Sequence, residues 1–212
     1  MMHEMMIQCS GRTISSRVSS VRFVLVVGDV RTMSGRAMKR LMREYAEMVS
    51  SPPEGIIASP VSESDVFTWR IAMSGPPDSF YEGALLEGIL TFPKDYPLSP
   101  PKLQFTSPVW HPNVYFPSGK VCISILHAGR DASGYEDSSE RWSPVQSVNS
   151  ILLSVLSMLA DPNDESPANV DAAVMWRQDK DAFAARVKRD IEAVLAIPYE
   201  VLSQYSASSS SG

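Results

Sequence analysis

The chain is poor in cysteine and histidine and has no long apolar run, and each shortage removes a class of function. Its two cysteines, Cys9 and Cys122, sit in dissimilar surroundings. That argues against a disulfide framework and for a reducing compartment, here expected to be the cytoplasm. The three histidines, His3, His111 and His127, have no ligand spacing to one another or to the cysteines, so no metal site is expected. No apolar stretch approaches the roughly 20 residues that cross a bilayer; the run Val24-Leu25-Val26-Val27 stops at Gly28-Asp29. A basic excess is also missing. With 19 Lys and Arg against 24 Asp and Glu, the formal net charge is −5, which gives no footing for nucleic acid. Nor is there a GxxxxGK[ST] phosphate cradle, so the chain is expected to bind no ATP and no other cofactor.

What is present suits one well-buried domain of about 150 residues with appendages. Residues 1–32 carry Arg12, Arg17, Arg22 and Arg31 against Glu4 and Asp29, with several serines. The composition loosely resembles a transit peptide, but a dispensable or disordered extension is the better account. The domain is expected over residues 33–198, followed by a flexible serine-rich tail at 199–212.

From Gly35 the pattern is helical: Met38, Leu41, Met42, Tyr45, Met48 and Val49 recur at three- and four-residue spacing, with Lys39, Arg40, Arg43 and Glu44 assigned to the other side. Ser50-Ser51-Pro52-Pro53 ends it. Strand signals follow at Phe67–Met73, at Leu86–Phe92 and at Lys102–Thr106. Their short connections predict an antiparallel meander. A polar loop covers Ala128–Arg141, and helices are predicted over about Val145–Ala160, Val170–Arg177 and Lys180–Ala196. This order makes an α+β domain.

The chemistry concentrates at His111-Pro112-Asn113, then Gly119-Lys120-Val121-Cys122-Ile123-Ser124-Ile125-Leu126, then Trp142-Ser143-Pro144. A lone cysteine in an apolar run is usually a small buried hydrophobe. A thiolate, however, can accept an acyl group and pass it on, and a nearby carboxamide can stabilise the oxyanion formed in each step. The ordered set resembles the active-site region of ubiquitin-conjugating enzymes. The resemblance runs from Gly35 to Ile197 and includes the loop Phe92-Pro93-Lys94-Asp95-Tyr96-Pro97-Leu98-Ser99-Pro100-Pro101-Lys102.

That resemblance implies an N-terminal helix, a four-stranded antiparallel meander and C-terminal helices. Pattern alone gives three strands; the fourth is expected near Lys102–Ser107, which puts the boundary between the earlier strands around Ile56–Ala58 in question. Cys122 would carry ubiquitin as a thioester, and Asn113 would stabilise the oxyanion. His111, Tyr115, His127, Asp131, Glu136 and Ser166 are candidate supporting residues. His111 is read first as a scaffold for Asn113, and Ser166 stands where many members have an aspartate. Lys39 and Arg40 look like contacts to an activating enzyme, which would consume the ATP. Leu98, Pro144 and Val145 match the loops that dock a RING-type ligase.

The connection from Cys122 to Trp142 is about a dozen residues longer than in many members, too long to be idle. With His127-Ala128 and Gly134-Tyr135-Glu136, it resembles the acidic-loop class that supports degradation of misfolded proteins at the endoplasmic reticulum. Recruitment to that membrane by partners, protein substrates and degradation-type chains follow as expectations. Phe116-Pro117 makes the segment from the turn to Cys122 one residue longer than usual for the class, and the acidic loop is one residue shorter, with the single Asp131 where relatives often have two adjacent aspartates. Rivals are a conjugating enzyme for another ubiquitin-like modifier, a non-catalytic ubiquitin-binding variant, and a cysteine hydrolase. The variant typically lacks the cysteine. The hydrolase needs an orienting partner for its base.

Overall fold

Gly35 precedes a helix, α1 (Arg36–Ser50), that stops short of Pro52-Pro53. The computed structural model describes residues 35–129 and 139–195. The extension 1–32, the tail 199–212, and Asp131 and Glu136 of the polar loop lie outside the described residues. After α1 come β1 (Ile56–Pro60), β2 (Thr68–Ser74), β3 (Leu85–Thr91), β4 (Lys102–Phe105), β5 (Val114–Tyr115) and β6 (Lys120–Val121). A 3-10 turn (Ser124–Leu126) leads on to α2 (Val148–Ala160), α3 (Val170–Gln178) and α4 (Lys180–Leu195). All strand pairs are antiparallel, in the order β1-β2-β3-β4-β6-β5.

The four-strand meander is therefore present as β1 to β4, and a small hairpin extends it to six strands. Two features hid strands from the pattern. In β1, Ile57 is exposed between buried Ile56 and Ala58, so two adjacent isoleucines mask the alternation. In β5 and β6, two residues each are too few to show any period. Across the sheet, Trp69 faces Leu90 and Leu90 faces Leu103 in register. These three side chains have no exposed surface; burying each contributes about 2–3 kcal/mol relative to leaving it in water. The same buried core takes in Leu41 of α1, Ile151, Leu152 and Val155 of α2, and Phe183 and Val187 of α4.

Two helix expectations need correction. Glu44 is buried on the core side of α1, while Met42 and Val49 are exposed. Glu44 shares a face with Leu41 and Met48 because they lie three and four residues away. A hydrophobicity pattern cannot place a polar residue there. The helix α2 begins at Val148, not Val145, because Ser147 and Ser150 form a capping box.

His111 fastens the active-site turn to this core. Its ring is wholly buried. Nδ1 accepts the Asn113 N–H at 2.9 Å, and Nε2 lies 3.0 Å from the Met158 carbonyl at the end of α2. The ring is thus the neutral tautomer with the proton on Nε2. Burial lowers its pKa to about 4, against a smaller opposing effect of the Met158 carbonyl. In the unfolded chain the imidazole titrates near about 6.5. Above that pH neither state holds the proton and the contribution is complete; between 6.5 and 4 the unfolded state alone takes it up, and stability falls. Urea unfolding should lose about 2 kcal/mol from this group between about pH 7.5 and pH 5. NMR titration should find the native ring still neutral at pH 5, and a midpoint near 6 would contradict the arrangement.

Candidate active site

The hairpin of β5 and β6 carries the cysteine back to the His111 turn. Val114 pairs with Val121 and Tyr115 with Lys120, and the Cys122 N–H donates to the Asn113 carbonyl at 2.9 Å. The return depends on Gly119, whose φ is +74° and whose missing Cβ would sit 2.1 Å from the Phe105 carbonyl oxygen. No other residue fits there. Cys122 follows β6 directly, half-buried, with a free thiol.

Two polar side chains flank the sulfur. His127 Nε2 lies 3.4 Å from Sγ. Tyr115, paired with Lys120 across the hairpin, is the diagonal neighbour of Cys122 on the same face of the strands; negative charge on Cys122 is the main cause that pushes the phenol's ionisation up, with burial adding to it. The phenol therefore remains a donor. His127 is itself held: its N–H donates to the Ser124 carbonyl, and its own carbonyl accepts the Trp142 N–H. Arg141 closes the base of the polar loop, donating to the carbonyls of Gly129 at 2.8 Å and Ala128 at 2.9 Å. The anchored residues 128, 129 and 141 thus adjoin His127, beside the cysteine.

Asn113, expected to stabilise the oxyanion, also has a structural part. Its carboxamide is buried and grips one residue at both ends: Nδ2 donates to the Asn163 carbonyl at 2.8 Å, and Oδ1 accepts the Asn163 N–H at 2.9 Å. The Asn169 N–H donates to the Pro112 carbonyl on the same side. The segment after α2 is therefore fixed against the turn, and exposed Ser166 rides on that segment. One N–H of the amide remains for other chemistry. No sequence signal pairs Asn113 with a backbone fifty positions away.

The other predicted residues fall into two groups. Leu98 and Val145 are 72% and 85% exposed. Their loops are tied together because the Trp142 indole N–H donates to the Pro97 carbonyl at 2.8 Å, so Leu98, Pro144 and Val145 border one surface. Lys39 is exposed on α1. Arg40, expected beside it as a partner contact, turns inward to Glu44 and to the carbonyls of Pro144 and Gln146. Glu44 and Tyr96, which complete this network, escaped the sequence reading. Among the described residues, no group of His, Cys, Asp and Glu is arranged to hold a metal ion.

A cysteine at the end of a rigid hairpin, open to solvent and flanked by an imidazole and a phenol, is suited to reversible acyl transfer. The family model described as ubiquitin-conjugating enzyme matches residues 40–191. Human "Ubiquitin-conjugating enzyme E2 G2" is 55% identical over 166 residues, covering 78% of this chain and 100% of that protein. In Schizosaccharomyces pombe, "Ubiquitin-conjugating enzyme E2-18 kDa" is 56% identical over 154 residues, covering 72% and 92%. The solved structure of human ubiquitin-conjugating enzyme E2 G1 superposes with a TM-score of 0.54 at 46% identity, over 60% of this chain and 97% of that one. Since the matched region encloses both the His111 turn and Cys122, the chain belongs to the ubiquitin-conjugating enzyme family and is a ubiquitin-conjugating transferase.

Proposed function

We propose that Cys122 accepts ubiquitin from the activating enzyme and passes it to lysine amines alongside a RING-type ligase, building degradation-type chains. The observation that carries this is the half-buried thiol itself, at the hairpin's end with His127 Nε2 3.4 Å away. In charging, the Cys122 thiolate attacks the ubiquitin thioester on the activating enzyme; a new C–S bond forms, the old one breaks, and the donor's thiolate leaves. ATP is consumed in that enzyme, and no cofactor is needed here. In discharge, a lysine nitrogen attacks the same carbonyl, a C–N bond forms and the electron pair of the broken C–S bond returns to Sγ. The Tyr115 hydroxyl donates a hydrogen bond to that leaving thiolate, and His127 stands 3.4 Å from the same sulfur.

Asn113 serves first by holding the 161–166 segment, with its remaining N–H turned to the oxyanion. Asp131 and Glu136 sit in the loop that Arg141 anchors, and they orient the incoming ammonium and draw off its proton. Lys39 is the activating-enzyme contact, and Leu98, Pro144 and Val145 are the ligase contacts. Among the described residues no helix is long and apolar enough to cross a membrane; action at the cytoplasmic face of the endoplasmic reticulum would depend on recruitment by partners. Residues 33–198 form the catalytic unit.

Three measurements test this. With activating enzyme, ubiquitin and ATP, the wild type should form an adduct cleaved by dithiothreitol. Cys122→Ser should give a more stable oxyester and Cys122→Ala neither. A reducible adduct on Cys122→Ala would refute the site. Asn113→Ala strips partners from the Asn163 backbone and should cost about 1–3 kcal/mol in thermal or urea unfolding, while slowing lysine discharge more than charging; unaltered stability would remove the clamp. Deleting residues 130–138, with the Arg141 bonds retained, should spare thioester formation and slow ubiquitin chain assembly by about tenfold or more. Chains formed at the wild-type rate would reduce the loop to a solvated insertion.

A further inference from the structure

Arg186 of α4 lies on the far side of the active-site turn and belongs to none of the roles above. Its Nε donates to both carboxylate oxygens of Asp190, at 3.2 and 3.0 Å, so its charge is balanced within its own helix. The guanidinium carbon stands 4.1 Å from the ring centroid of Trp110 and 5.2 Å from that of Phe116. The two rings meet edge to face, 5.4 Å apart at 75°. Trp110 is buried and immediately precedes His111; its carbonyl accepts the Tyr81 hydroxyl at 2.6 Å, while its indole N–H has no acceptor among the described residues. The ring is held by its faces, not by a polar bond. Phe116 is half-exposed and immediately follows Tyr115. One cation therefore bridges two rings that bracket the whole stretch from His111 to Tyr115.

Geometry couples this stack to the thiol. On extended backbone, successive side chains point to opposite sides. Phe116 faces Trp110 and Arg186, whereas Tyr115, paired with Lys120, lies on the face of the hairpin that Cys122 shares as its diagonal neighbour. A half-exposed phenylalanine in a short hairpin would otherwise sample several rotamers and loosen its neighbour. A guanidinium suits the stacking task because its plane is rigid and weakly hydrated. We propose that Arg186 is a positioning residue for the transfer reaction: by holding Phe116 against Trp110, it sets where the Tyr115 hydroxyl stands beside the Cys122 sulfur. This rests on the role assigned above to that hydroxyl. Arg186 touches neither ubiquitin nor the reacting atoms, and acts only through Phe116 and Tyr115.

The test is single-turnover discharge of the preformed Cys122–ubiquitin thioester to free lysine. Four proteins are compared: wild type, Tyr115→Phe, Arg186→Ala and the double variant. Loss of one hydrogen bond to the leaving thiolate should make Tyr115→Phe about tenfold slower. Arg186→Ala, by misplacing the same group, should fall in the range of about threefold to tenfold. The double variant should be no slower than Tyr115→Phe alone, because both changes remove one effect. Phe116→Leu, which leaves Arg186 and Asp190 paired, should reproduce the Arg186→Ala rate, and Arg186→Lys should restore thermal stability but not the full rate. If Tyr115→Phe is slow while Arg186→Ala and Phe116→Leu match the wild type, the positioning role is overturned and the hydroxyl's role stands. If Tyr115→Phe matches the wild type, both fall. Multiplicative losses in the double variant would mean that Arg186 acts through general packing, which also overturns the proposal.

Discussion

The carboxylate of Glu44 is the interaction on which the rest of the arrangement depends. It is buried to 2% exposure in α1, where an unpaired charge would cost several kcal/mol. Three donors converge on it: Arg40, the Tyr96 hydroxyl at 2.8 and 3.0 Å, and the Val148 N–H at 2.7 Å. The last is a bond to the first turn of α2, where negative charge also meets the positive end of the helix dipole. Burial, followed by the charge and hydrogen bond of Glu44, pushes the Tyr96 phenol's ionisation far above its usual range, so it stays a donor. Three segments distant in sequence thus meet at one side chain: the first helix, the proline-rich loop and the start of α2.

From there the constraint reaches the chemistry through α2. That helix carries Met158, whose carbonyl holds the His111 ring, and His111 in turn sets the turn that accepts the Cys122 N–H. The segment beyond α2 returns to the same turn through Asn163 and Asn113. Exchange of one thioester for another is close to neutral in energy, so such a site gains most from orientation of the reacting groups. Its polar side chains serve accordingly. His111 and Asn113 are buried and bonded to backbone, whereas His127 and Tyr115 approach the sulfur.

The exposed apolar loop tips owe their position to the same ties. Arg40 binds the Pro144 and Gln146 carbonyls, and Trp142 binds Pro97. Those bonds fix two loops whose apolar tips, Leu98 and Val145, remain in solvent. A single exposed leucine means little; two on loops braced from beneath form a rigid edge that loses little freedom when covered.

The sequence by itself determined the helices, the main strands and the candidate nucleophile, because these signals are local. Heptad-like spacing in α1 and α4, alternation in β2, and the run from His111 to Cys122 can be read within a short window. Beside the resemblance, His111 was read as a scaffold for Asn113, and its ring bonds to the Asn113 N–H and the Met158 carbonyl. What only the tertiary structure decided were pairings between distant residues and the facing of polar groups. Glu44 is charged, and hydropathy assigned it to solvent; its burial depends on donors up to 104 positions away. Arg40 was read as a surface contact because the backbone carbonyls that bind it have no signature in sequence. Asn113 was read as an oxyanion donor because its type suits that task, whereas its bonds to Asn163 depend on where the chain returns after α2. Arg186 looked like one more charge on an amphipathic helix, and only packing laid it over Trp110 and Phe116. Side-chain type and local period follow from covalent chemistry; the partner of a buried polar group follows from the path of the whole chain.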